Sequence, residues 1–177
     1  FAFRLDGALR AWSEPAPQRI PPATSYLVQT ALRQVVEAGT ARRARSLDRS
    51  IGGKTGTTDA YDAWFLGFSD DLVTGVWVGS DRNQRRLGQG ETGGKVALPI
   101  WMRHMEKMFE RSPAGDFLEA PPPDIEFHDI DLETGLLAIE GAPSLNLPFR
   151  SGTQPEESAA DLSVLEGGDL ELIESRF

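Results

Sequence analysis

Gly52-Gly53-Lys54-Thr55-Gly56-Thr57-Thr58, followed closely by Asp62-Ala63-Trp64-Phe65-Leu66-Gly67-Phe68, is the stretch that decides how this 177-residue chain folds. Both runs read as strands, and a third follows, so strands are expected at 51–58, 63–69 and 72–80. Ser69-Asp70-Asp71 is a tight connection that should pair the second and third as a hairpin. Side chains alternate along a strand, which puts Lys54 and Gly56 on one face and Thr55 and Thr57 on the other. Glycine inside a strand weakens it and is tolerated where a ligand or another backbone comes close. The lysine offers a charge to an anionic group, and threonine hydroxyls offer hydrogen bonds to a carboxylate. An acyl-transfer site also needs backbone N–H groups aimed at a developing oxyanion, and a strand with a free edge can present one. The same four residues equally suit a turn with a solvated lysine, and the motif alone does not separate the two.

A phosphate-binding loop is excluded. It requires a glycine where this chain has Asp48, and a helix after the motif, where Thr-Gly-Thr-Thr and an aromatic run stand instead. Upstream, apolar residues at 27, 28, 31, 32, 35 and 36 predict an amphipathic helix over 26–38, capped by Thr24 and stopped by Gly39. The basic run 42–49 is expected to be a loop, as is the polar, glycine-rich stretch 82–94. Ala97, Ile100, Trp101, His104, Met105 and Met108 form a second helical stripe, with Pro99 in its first turn. The fold class is α+β, an antiparallel sheet covered by helices. Trp77 and Trp101 are assigned to the core, and His104 to the apolar face of its helix.

Charge divides the chain. Residues 1–112 carry 16 basic and 12 acidic side chains, and residues 113–177 carry 2 basic and 15 acidic, within a net charge of −9. Such asymmetry marks a boundary, here punctuated by Pro121-Pro122-Pro123. Three regions are expected: 1–112 as the motif-bearing domain, 113–147 as a β-hairpin extension, and 148–177 as an acidic, flexible tail. The hairpin is placed within 125–139, its turn at Asp131-Leu132-Glu133-Thr134-Gly135. Residues 162–177 alternate acidic and apolar side chains and could dock as a short segment. There is no cysteine, no apolar run long enough to span a membrane, and no basic stripe for nucleic acid. His104 and His128 are too far apart in sequence to suggest a metal site. The opening Phe1-Ala2-Phe3-Arg4 reads as the middle of a chain.

Five ordered blocks extend the motif: Ser25-Tyr26-Leu27-Val28 leading to Val35-Val36-Glu37-Ala38-Gly39-Thr40, then Gly53-Lys54-Thr55-Gly56-Thr57-Thr58, Asp62-Ala63-Trp64-Phe65-Leu66-Gly67, Val76-Trp77-Val78-Gly79, and Gly90-Glu91-Thr92-Gly93-Gly94 ahead of Ala97-Leu98-Pro99-Ile100-Trp101. Over some eighty residues this pattern closely resembles the C-terminal part of the transpeptidase domain of class A, bifunctional penicillin-binding proteins. The resemblance implies the same α+β fold and a peptidoglycan D,D-transpeptidase that works through a serine acyl-enzyme, is acylated by β-lactams and needs no cofactor. It gives Lys54 the task of holding the serine of a Ser-x-Asn motif and orienting the substrate carboxylate. Thr55 and Thr57 become carboxylate-binding hydroxyls, and the Thr57 N–H becomes half of an oxyanion hole. Gly56 keeps the backbone accessible, and Thr58 completes the substrate-binding strand. Asp62, Trp64 and Phe65 are expected to support the sheet.

The Ser-x-x-Lys carrying the nucleophile and the Ser-x-Asn do not precede Lys54, and Ser144-Leu145-Asn146 follows it. Both motifs are therefore expected on an upstream segment of the same protein, together with a glycosyltransferase domain and a membrane anchor that place the enzyme in the periplasm. Other expected partners are peptidoglycan stem peptides, β-lactams, and proteins of cell-wall synthesis and division. Two other readings stay open: a D,D-carboxypeptidase or β-lactamase of the same superfamily, and a degenerate module that only binds cell-wall peptides.

Overall fold

The computed structural model describes residues 19–58, 61–80, 86–118 and 120–161, together with the backbone of a short antiparallel pair, β1 (Ala2–Phe3) and β2 (Leu9–Arg10). The side chains of the opening residues, and residues 162–177 with their acidic-apolar alternation, lie outside the described residues, as do 82–85 of the expected glycine-rich loop.

Helix α1 (Pro22–Glu37) begins four residues before the expected Tyr26. Pro22 occupies the first turn, where its missing N–H costs nothing and its fixed φ is already helical. Thr24 therefore lies inside the helix and caps nothing. Gly39 ends it as expected: a Cβ there would stand 2.9 Å from the Val35 backbone. The basic run is not a loop but a 3-10 helix, Arg42–Leu47, held down by the fully buried Ala41 and Ala44.

Strands β3 (Gly52–Thr58), β4 (Asp62–Phe68) and β5 (Val73–Val78) form an antiparallel sheet in the order β3-β4-β5. The expected β4–β5 hairpin is present, closed by the Ser69 N–H donating to Leu72 O at 2.9 Å. Helix α2 (Leu98–Phe109) covers one face of the sheet, preceded by a single wide turn at Gly93–Ala97. Ala63, Phe65, Leu98, Trp101 and Met105 are wholly buried between them. Trp101 meets Phe65 edge-on at 5.0 Å and donates its indole N–H to Thr74 O at 2.9 Å. A Cβ at Gly67 would stand 2.7 Å from both the Trp101 and the Phe65 rings, so only glycine admits the indole. His104 is exposed, outside the stripe that faces the sheet. Trp77 is 41% exposed on the opposite face, so Trp101 is core and Trp77 is not.

The end of the sheet at Gly52, away from Thr58, is stapled by side chains. Asp71 accepts hydrogen bonds from Ser69 and Ser112, and Asp116 from Ser50 and Arg33. Arg49 donates to the carbonyls of Phe109 and Ser112 and stacks 5.0 Å over the Phe109 ring.

Beyond Pro121–Pro123 the architecture departs from the expected hairpin. Strand β6 (Ile125–Asp131) pairs along its length with β7 (Ser144–Arg150), not with residues inside 125–139. Asp131 does make the turn expected of it. Its carboxylate accepts the N–H groups of Glu133 and Thr134 and the Thr134 hydroxyl, and Gly135 takes φ +73°. The returning chain, however, meets β6 in one isolated bridge, Leu137 to Ile130, while Leu137 also bridges Ser158, and the chain then turns again and delivers β7. Pro148 and Arg150, assigned to the flexible tail, lie in this strand; a proline is admissible at such a sheet edge. Asn146 bonds the Asp129 carboxylate across the pair, and His128 packs edge-on to Phe149.

Two predictions follow from this packing. Hydroxyl donation, first from Ser112 and then from Ser69, holds the Asp71 carboxyl below its usual range; at Asp116 the leading donor is Ser50. A depressed folded-state pKa contributes stability that is present above the unfolded value near 3.9 and is lost as pH falls through the folded value. Urea midpoints should therefore drop on acidification below about pH 4, and the paired Asp71→Asn and Asp116→Asn variant should show a flatter decline. An unchanged slope would remove these carboxylates from the account. The second concerns Gly93, where a Cβ would stand 2.3 Å from Trp64 O and 2.6 Å from Gly56 O. Both are backbone atoms that cannot swing aside, so Gly93→Ala should lower unfolding free energy by about 1–3 kcal/mol.

Candidate active site

Among the described residues strand β3 is an edge strand, paired on one side only. In its ladder with β4, Lys54 stands opposite Leu66, Gly56 opposite Trp64 and Thr58 opposite Asp62. These residues share the open face of the sheet, because Phe65 and Ala63, the partners of Thr55 and Thr57, point into the core under α2. The predicted alternation of lysine and threonines between faces is thus the alternation observed.

Lys54 is exposed, and its ammonium lies along its own strand, donating to Thr55 O at 2.8 Å. Among the described residues it makes no ion pair. A solvated cation at a strand edge, with no carboxylate of its own, is available to an incoming anion. Gly56 is half-buried. A Cβ there would come within 3.3 Å of the Trp64 Cβ, so the glycine lets the Trp64 side chain lie close against the strand.

The two threonines expected to bind a carboxylate both have partners within the chain. Thr55 shares a hydrogen bond with the Thr40 hydroxyl at 2.9 Å, just after α1. Thr57 accepts the Gly93 N–H at 3.1 Å. Because the Thr57 oxygen is the acceptor, its own O–H proton remains to be donated elsewhere. Thr58 is exposed at the strand's end, its carbonyl accepting the Tyr61 N–H at 2.9 Å as the chain turns into β4.

Sequence reasoning did not single out Thr40 and Gly93 as members of this site. Thr40 fixes the rotamer of Thr55, and the Gly93 turn presses backbone to backbone against Gly56 and Trp64. The signal for Gly93 was present in the doubled glycine of Gly90-Glu91-Thr92-Gly93-Gly94, which marks a close backbone approach. A pair of hydroxyls fifteen residues apart leaves no comparable trace.

The remaining groups do not extend the chemistry. Phe65 is core, Trp64 is 46% exposed beside Trp77, and Asp62 accepts the Trp77 indole N–H at 2.8 Å. Ser46 donates to Arg43 O and Ser50 to Asp116, so both hydroxyl protons are engaged, and the residues three positions on are Arg49 and Gly53, not lysine. Among the described residues no three His, Cys, Asp or Glu side chains gather as metal ligands, and no helix is long and apolar enough to cross a membrane. What the site offers is a cation, a hydroxyl donor and a glycine along one free strand edge. That arrangement can bind and polarise, and among the described residues no serine with a lysine three positions on joins it.

No protein-family model matches the chain. It is 46% identical over 137 residues to penicillin-binding protein 1A of Aquifex aeolicus, spanning 77% of this chain and 18% of that protein. It is 44% identical over 131 residues to penicillin-binding protein 1A of Pseudomonas aeruginosa, spanning 73% and 16%. In three dimensions it matches the crystal structure of penicillin-binding protein 1A from Haemophilus influenzae with a TM-score of 0.71 and 37% identity, over 82% of this chain and 22% of that one. The chain therefore spans less than a quarter of the proteins it matches. From the ordered motif blocks, the antiparallel sheet under its helices and these likenesses, the chain belongs to the class A penicillin-binding protein family, as the C-terminal part of its transpeptidase domain.

Proposed function

We propose that this chain supplies the substrate-binding and oxyanion strand of a peptidoglycan D,D-transpeptidase. The observation that carries the reading is the placement of Lys54. It is exposed on the free edge strand, without an ion-pair partner among the described residues, and the same strand carries on its other face a Thr57 hydroxyl whose proton is not used by the bond it accepts.

In this reading a serine on an upstream segment, activated by the lysine three residues after it, attacks the D-Ala-D-Ala carbonyl of a stem peptide and expels the terminal D-Ala. The resulting acyl-enzyme passes to an amine of a neighbouring stem and closes the cross-link. Lys54 holds the serine of an upstream Ser-x-Asn and orients the substrate's terminal carboxylate. Thr55 and Thr57 provide hydroxyls for that carboxylate, and Thr58 lies beside them at the end of the strand. The Thr57 N–H faces the oxygen on which charge develops, a role that acts on the transition state more than on the ground state. A β-lactam presents the same carboxylate and carbonyl and traps the serine. The intact protein is read as bifunctional, with a glycosyltransferase domain and an anchor in the cytoplasmic membrane, working on the periplasmic side.

Two outcomes are expected. In the full-length protein, Lys54→Ala should slow acylation by a fluorescent penicillin by about 10²-fold or more, the scale on which such stabilising groups act. The melting temperature should barely move, since an exposed side chain is removed. Acylation at the wild-type rate would overturn the role of Lys54. The isolated 177-residue chain should show no penicilloyl adduct by intact mass; an adduct there would place the nucleophile on this chain.

A further inference from the structure

The open face of the sheet carries a contact that the proposed chemistry does not use. Asp62 opens β4 directly opposite Thr58, the last residue of β3, and its carboxylate reaches across β4 to β5, where it accepts the Trp77 indole N–H at 2.8 Å. Trp77 stands opposite Trp64 in the β4–β5 ladder, their rings 6.1 Å apart and tilted by 37°. Trp64 in turn lies against Gly56, where a Cβ would crowd it at 3.3 Å. The three side chains thus form a chain of contacts that starts and ends on the Lys-Thr-Gly-Thr strand.

Space for it has been made on purpose of shape: a Cβ at Gly79 would stand 2.3 Å from the Asp62 carboxylate oxygen and 2.7 Å from the Trp77 ring. Packing does not explain the arrangement. Trp64 and Trp77 are 46% and 41% exposed, whereas the buried face seals the core without them. Two large indoles on an open face would otherwise be free to change rotamer. A hydrogen bond to an ionised acceptor is the stronger kind, and here it selects one orientation.

We propose that Asp62 is a positioning residue for the acyl-transfer strand. By fixing Trp77, and through it Trp64 over Gly56, it holds the Gly56–Thr58 end of β3 in the register from which the Thr57 N–H and hydroxyl act. This rests on the function proposed above. The closed face of this strand end is already held by the Gly93 turn and the buried Ala63, so the Asp62 contact acts on the open face, where it fixes the indoles lying against Gly56.

The test uses the full-length protein and the second-order rate of acylation by a fluorescent penicillin. Asp62→Ala and Trp77→Phe should each slow acylation roughly tenfold, the scale of one net hydrogen bond. The double variant should be no slower than either alone, because both remove one contact. Asp62→Asn keeps an acceptor oxygen and should stay within about twofold of wild type. A merely structural role would not give this rescue together with non-additivity. Wild-type acylation in Asp62→Ala overturns the proposal, as does multiplication of the two single effects, or Asp62→Asn being as slow as Asp62→Ala. A second readout is independent of activity: the circular-dichroism couplet of the Trp64–Trp77 pair should vanish in Asp62→Ala and persist in Asp62→Asn, and its persistence in both would overturn the contact chain. Lys54→Ala separates the two failures. If Lys54→Ala abolishes labelling while Asp62→Ala does not change it, only the positioning role fails; if the wild type is not labelled at all, the transpeptidase reading itself fails.

Discussion

The seating of Trp101 on Phe65 is the contact on which the rest depends. It is possible because Gly67 leaves a notch in β4 that no other residue would leave, and the indole fills it while donating its N–H to the Thr74 carbonyl. A buried indole with its polar atom satisfied contributes both area and orientation. With α2 fixed in that way, one face of the sheet is closed, and every side chain of the alternate set must face outward. Lys54 is exposed because its neighbours one residue away are committed to the core.

From the same constraint follows the division of labour within the motif. Thr55 and Thr57 lie on the closed side, where Thr40 and the Gly93 N–H hold them in single rotamers. Lys54 and Gly56 lie on the open side. A four-residue stretch therefore joins pre-oriented hydroxyls to a solvated cation, and the strand's pleat is what separates them. Pre-orientation of this kind lowers the reorganisation needed when charge develops at the site.

The sheet, its hairpin and both helices were legible because their signals are local: alternation at 51–58 and 63–69, and a helical stripe at 97–108. Placement of Lys54, Gly56, Thr55 and Thr57 on opposite faces followed from alternation alone, and the neighbours that lock the threonines did not. The sequence misleads where two local signals compete. Thr24 looked like a cap, yet Pro22 starts the helix by its ring geometry. Leu136-Leu137 looked like a returning strand, but the true partner of β6 begins at Ser144, in a run whose Pro148 argues locally against a strand. The sequence puts Trp77 in the core, but its exposure comes from a β5 register that only the three-stranded ladder determines.

The staples at the far end of the sheet are of two chemical kinds. Asp71 and Asp116 are carboxylates gripping hydroxyls, and protonation loosens their hold. Arg49 grips the carbonyl of Phe109, the last residue of α2, and that of Ser112 just beyond it, through bonds that involve no carboxylate. Around the helix end, then, an acid-labile fastening is backed by one made to neutral backbone carbonyls, which gain no proton where the carboxylates do, and the helix terminus stays tied to the segment after the 3-10 turn even when the carboxylates let go.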